Sequence, residues 1–129
     1  MKYLLDIHTF LWMINDDPAL SKLAREILRD TNNDLFLSIA SAWEVGIKIG
    51  SGKLVAPKEP LDQFFRTQLN RTAIDLLDVN LTHIELITRL PRHHRDPFDR
   101  MLIAQSIAEG LPIISADSAF DPYGVTRLW

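Results

Sequence analysis

The sequence predicts an α/β fold with a central, mostly parallel five-stranded sheet covered by helices on both faces, giving three layers. Two observations predict it. Short apolar runs alternate along the chain with segments whose apolar residues recur at helical spacing. Four carboxylates, Asp6, Glu44, Asp99 and Asp117, stand where such a run gives way to polar residues or where a helix-like stretch opens. In an open parallel sheet those positions face a single crevice.

The elements follow in order. Lys2 to Leu5 reads as a short buried strand, and His8 to Asn15 as a helix with Phe10, Leu11 and Ile14 along one face. Asp17-Pro18 and Leu20-Ser21 are helix-start signals for a stripe of Leu23, Ile27 and Leu28 that lasts to about Arg29. After the turn Asn32-Asn33-Asp34, Leu35 to Ser38 forms the second strand. Ser41 to Ile49 reads as a helix ended by Gly50-Ser51-Gly52, and Pro60 to Leu69 as another, with proline at the permitted first position. Ala73 to Val79 supplies the third strand. Thr82-His83-Ile84-Glu85 matches a capping box and opens a helix ending near Pro91, with His83 on its surface. Asp96-Pro97-Phe98-Asp99 starts a helix that Gly110 terminates. Pro112 to Ser115 is the fourth strand and Val125 to Leu128 a fifth at the edge. Right-handed crossovers then leave a switch point beside the first strand, flanked by Asp6 and Asp117 if the first and fourth strands are neighbours.

At 129 residues, with no repeat, linker or low-complexity tract, residues 1–129 read as a single domain. A composition 47% hydrophobic and 24% charged is that of a globular chain and excludes disorder. The absence of cysteine excludes disulfides, thiolate zinc sites and cysteine nucleophiles. No apolar run approaches the roughly 20 residues of a membrane helix, and Asp6 interrupts the start too early for a signal peptide. The expectation is a soluble, cytoplasmic protein without a membrane partner. A net charge of −3 excludes a general polyanion-binding surface. The segment holding Arg89, Arg92, His93, His94, Arg95 and Arg100 is nevertheless locally basic. Beside an acidic cluster, it suits a phosphodiester whose scissile group sits on metal.

Gathered carboxylates are costly unless cations neutralise them or some stay protonated. All-oxygen donors suit hard Mg²⁺ or Mn²⁺ and disfavour zinc. Each acid also has a local structural explanation. Glu44 completes a capping box with Ser41, Asp96 is a near-ideal N-cap before Pro97, Asp99 complements a helix dipole, and Asp117 suits an Asx turn. Asp6 has no such duty at the end of a buried strand, where an unpaired carboxylate is expensive. Asp6 and Asp99 are the first choice for direct metal ligands and Asp117 follows. Glu44 binds through water or orients the attacking water. Arg95, Arg100 and Lys48 are candidates for phosphate contacts, and His8 for a bystander more than a ligand.

The chain resembles the PIN-domain ribonucleases, and among them the VapC-type toxins of toxin–antitoxin pairs. The likeness rests on Leu4-Leu5-Asp6-Ile7-His8-Thr9-Phe10-Leu11-Trp12 and on Ser38 to Lys48 with Gly52-Lys53-Leu54. It continues through His94 to Gln105 and Ile114-Ser115-Ala116-Asp117, and ends in Leu128-Trp129. Ile7 departs from the pattern, since many relatives carry a small hydroxyl residue there; a hydroxyl near the metal then has to come from Thr9 or Ser115. The resemblance implies a PIN-like fold and a Mg²⁺- or Mn²⁺-dependent endoribonuclease whose acids are Asp6, Glu44, Asp99 and Asp117. It also implies inhibition by a cognate VapB-type antitoxin covering the acidic crevice, an RNA substrate, and homodimers paired through the early helices. The alternative is a catalytically silent PIN-like module that binds RNA or antitoxin. A phosphoacceptor domain fits poorly because the last lysine is Lys58, and an aspartyl phosphatase would want an acid where His8 stands.

Overall fold

A computed structural model describes every residue from Met1 to Trp129. Its helices and strands follow the expected alternation: β1 (Lys2–Leu5), α1 (Ile7–Ile14), α2 (Lys22–Arg29), β2 (Asp34–Ser38), α3 (Ile39–Gly50), α4 (Leu61–Thr72), β3 (Ile74–Leu77), α5 (Leu81–Arg89), α6 (Pro97–Glu109), β4 (Ile113–Ile114) and β5 (Arg127–Leu128). The sheet has the order β3-β2-β1-β4-β5, and every pairing is parallel. The chain therefore moves outward from β1 to β3 and returns to the other side of β1 for β4. That reversal is the switch point, and it lies between β1 and β4 as the sequence requires.

Side chains alternate across a strand, so parity sorts the apolar residues into two cores. Tyr3, Leu5, Leu35, Leu37 and Ile114 face one side, where Phe10, Ala24, Ile27, Val45 and Phe65 of the helices cover them. Leu4 and Ile113 face the other, under Leu102, Ile103 and Phe120, with Phe36 packed against them. This is the three-layer arrangement. Leu4, Leu5, Ile113 and Ile114 have no exposed surface, which is why their strands read as continuous apolar runs. Full burial of a side chain such as Phe10 or Phe120 stabilises by about 1.5–3 kcal/mol. No helix is long and apolar enough to cross a membrane.

Several local expectations are corrected. Helix α3 begins at Ile39 directly from β2, with Ser38 as its N-cap accepting from the Ala40 N–H at 3.1 Å. Glu44 is thus the sixth residue of the helix and takes no part in a capping box with Ser41. The box on α5 is real but sits two residues earlier than expected. The Asn80 side chain accepts from the His83 N–H, and His83 Nδ1 accepts from the Asn80 N–H at 3.1 Å. His83 is consequently buried and not on the surface; its Nε2 lies 2.9 Å from Glu109 Oε1 and ties α5 to the end of α6. Ala73 lies outside β3 as the left-handed C-terminal residue of α4, at φ 54°. A 3₁₀ helix, Ser118–Tyr123, which the sequence reading omitted, joins β4 to β5.

Candidate metal centre

The ladder between β1 and β4 fixes the first half of the site. The Asp6 N–H donates to the Ile114 carbonyl at 3.2 Å, which sets Asp6 beside Ser115 at the carboxyl ends of the two strands. Asp6 holds the N-cap position of α1, yet its carboxylate makes no capping bond. Its Oδ2 accepts instead from the Ser115 hydroxyl at 2.8 Å. The same Ser115 oxygen accepts from the Asp117 N–H at 3.0 Å, so one hydroxyl orients the first acid and anchors the loop bearing the last. Ser115 is therefore the hydroxyl of the site, whereas Thr9 is committed to the Ile114 carbonyl at 2.8 Å. Arg127 of β5 steadies this corner, donating to the Ser115 carbonyl at 3.0 Å while both carboxylate oxygens of Asp121 hold its guanidinium.

The second half comes from the start of α6. Asp96 is its N-cap and accepts from the Phe98 and Asp99 N–H groups at 2.9 and 3.1 Å, as expected. With the cap supplied by Asp96, the Asp99 carboxylate is free for other work. Its Oδ2 lies 2.7 Å from His94 Nε2. Since His94 Nδ1 accepts from the Asp96 N–H at 3.1 Å, the proton of the neutral ring sits on Nε2 and donates to Asp99. Ligand atoms of His94, Asp99 and Asp117 all lie within 4.8 Å of one another.

Asp6 belongs to the same field. Burial is the largest cause raising its pKa above the usual carboxylate range; the Ser115 hydrogen bond opposes that rise and the charge of Asp117 adds to it. Asp99 is pushed up to about 6, first by burial and then by Asp96, with Asp6 adding and the His94 hydrogen bond opposing. Acids that resist ionisation because of burial and of one another lack a counter-charge, which a dication supplies. The donors are carboxylate oxygens, with one histidine already engaged through its own proton. That set fits hard Mg²⁺ or Mn²⁺.

Glu44 is buried, and its carboxylate meets Lys48 Nζ at 2.7 Å, one helical turn on. The bond to Glu44 is the main cause raising the Lys48 pKa, with Asp96 and Asp6 adding, which sets this ion pair beside the acids. Lys48 thus has a partner inside the protein. Arg100 is likewise engaged within the chain. Its Nη1 donates to the Pro91 carbonyl at 2.9 Å and its Nη2 to the Ile87 carbonyl at 3.2 Å, pinning the loop that carries His94. Arg95 is exposed and lines a hollow of about 720 Å³ with Arg92, His94 and Arg100. His8 is exposed, packs against Trp12 and influences Asp6 only through its charge, in keeping with a bystander.

His94 is the site residue that sequence reading missed, having been placed only within the locally basic segment. The only signal was its place two residues ahead of an Asp-Pro cap, where the loop folds back upon the helix start.

Comparison with known proteins places the geometry in context. The profile described as PIN domain matches residues 3–125. Ribonuclease VapC16 of Mycobacterium tuberculosis is 37% identical over 59 residues, which span 46% of this chain and 41% of that protein. The likeness thus covers about two fifths of that curated relative's length. Among solved structures, VapBC2 from Rickettsia felis bound to a promoter DNA fragment superposes with a TM-score of 0.72 at 14% identity, covering 99% of this chain and 98% of that one. FitAcB from Neisseria gonorrhoeae gives 0.66 at 15% identity, over 100% and 97% of the two chains. At such identities the likeness shows a shared fold.

Proposed function

The chain belongs to the PIN domain family, and from that premise we propose that it is a Mg²⁺- or Mn²⁺-dependent endoribonuclease, the toxin of a toxin–antitoxin pair. One observation carries the reading. Asp99 in the first turn of α6 and Asp117 in the β4 loop offer carboxylate oxygens within 4.8 Å of each other and of His94. Asp6 at the end of β1 is near enough for its charge to add to the rise at Asp99, and burial first holds both Asp6 and Asp99 above the usual carboxylate range.

Asp6 and Asp99 would hold the ion directly with Asp117, and Glu44 would reach it through water or orient the attacking water. A bound divalent ion makes water acidic enough to attack and stabilises charge on the phosphoryl oxygens. The chain's own residues prepare for this. Ser115 fixes the Asp6 carboxylate, His94 fixes Asp99, and Lys48 holds Glu44 in place. Arg92 and Arg95, exposed on the adjoining basic hollow, would meet backbone phosphates on either side of the cut. Unpaired RNA is the substrate class proposed, because its bases are free to be read by side chains beside the cut.

A cognate VapB-type antitoxin would cover the crevice and silence the enzyme. The VapBC2 structure from Rickettsia felis, which shares this fold, supports the reading. Homodimers paired through α1 and α2, and a cytoplasmic location, complete it. The test is purified protein incubated with unpaired RNA and Mg²⁺ or Mn²⁺. Defined cleavage that chelator stops is the expected result. Intact RNA under both metals would overturn the enzyme and leave a silent RNA- or antitoxin-binding module.

A further inference from the structure

We infer that Trp43 and Phe98 form a nucleobase subsite, in which an unpaired base of the RNA stacks beside the scissile phosphate. The inference rests on the nuclease reading and gives that site a second, non-ionic half.

Trp43 immediately precedes Glu44 on α3, and Phe98 immediately precedes Asp99 on α6. Successive helical residues diverge by roughly 100°, so each aromatic ring flanks the acid that follows it. The two rings meet edge to face at 5.3 Å and 78°. Trp43 is nonetheless 66% exposed, whereas every other phenylalanine, tryptophan and tyrosine of the chain is buried or partly buried. Beside it opens a hollow of about 390 Å³ walled by Ile39, Val79, Ile87, Phe98 and Met101.

This apolar hollow shares Ile87 with the basic hollow that holds Arg92 and Arg95. Cationic and apolar surfaces therefore meet at one wall, next to the acids. Single-stranded RNA has the matching character, with an anionic backbone and a planar base whose faces avoid water. A chain of net charge −3 cannot draw much RNA affinity from its overall field, which leaves stacking as the main non-ionic source. The cation that the acids would hold takes the reacting phosphate, and the arginines take its neighbours. Trp43 then selects which base is presented, and its broad face favours a purine.

The experiment compares wild type, Trp43→Ala and Trp43→Phe on one RNA and on a set of copies, each lacking the base at a single position. Wild type should lose about tenfold or more in cleavage when one particular base is missing, within the range of a single base–aromatic stack. Trp43→Ala should cleave the intact RNA more weakly by a similar factor, carried in KM, and be indifferent to loss of that base. Trp43→Phe should recover most of the activity and the base preference. Cleavage by Trp43→Ala equal to wild type, with the same base preference, overturns the subsite. Unchanged cleavage together with lost inhibition by antitoxin also overturns it and assigns the hollow to the protein partner. A wild type that cleaves no RNA removes the nuclease reading itself, a result distinct from cleavage that ignores Trp43.

Discussion

Asp99→Asn should reduce metal-dependent RNA cleavage by about a hundredfold or more, the scale of removing an electrostatic group at a reacting centre, while leaving the fold intact. The geometry separates the two effects. Asp96, not Asp99, supplies the cap of α6, so the helix start does not depend on the charge at residue 99. The amide oxygen of Asn can still accept the His94 Nε2 proton that Asp99 accepts at 2.7 Å. What disappears is the negative charge, the one property that a hard cation requires. Initial rates at saturating Mg²⁺, with circular dichroism as the control for folding, check the expectation. Activity near that of wild type would remove Asp99 from the ligand set.

The second large effect concerns stability against pH without metal. Asp99 ionises at 3.8 in its ordinary environment and near 6 in the folded chain. The folded state therefore keeps a proton that the unfolded state has already released, and stability falls as pH rises through that interval. The contribution is complete below about pH 4 and lost above about pH 6, and Asp6, also raised, works in the same direction. Its size is on the order of 2 kcal/mol once the partial exposure of Asp99 is allowed for. Asn mimics the protonated acid. Metal-free Asp99→Asn should thus be more stable than wild type at pH 7.5, and the two should converge near pH 4. Urea unfolding at both pH values measures the difference. A variant less stable than wild type at pH 7.5 would mean that the carboxylate is satisfied inside the protein and needs no ion.

The sequence revealed most where local chemistry and tertiary structure agree. Asp96-Pro97 and Gly110 bracket α6 because both ends are set by backbone geometry that neighbouring residues alone satisfy. The apolar runs at β1 and β4 were plain because both faces of a central parallel strand are buried. Asp6 stood out as a carboxylate without a local duty, and its partner Ser115 is 109 residues away. Harder to read were features decided by long-range packing. Ser41-Ala42-Trp43-Glu44 fits a capping box, but β2 runs straight into α3 and Ser38 takes the cap, which leaves Glu44 for Lys48. His83 looked like a surface residue until Glu109 from another helix covered it. His94 reads as loop, and only the fold of that loop against α6 brings its ring to Asp99. Arg100 shows the opposite case: it reads as free in the sequence, and in space its guanidinium donates to backbone carbonyls.

Calorimetric titration of Mn²⁺ at pH 7.5 into wild type, Asp6→Asn and Asp99→Asn puts the shared-ion site to the most direct test. Saturable binding to wild type, lost in both variants, is the expected result. Failure of wild type to bind, or equal binding by all three, would show that these carboxylates do not converge on a cation.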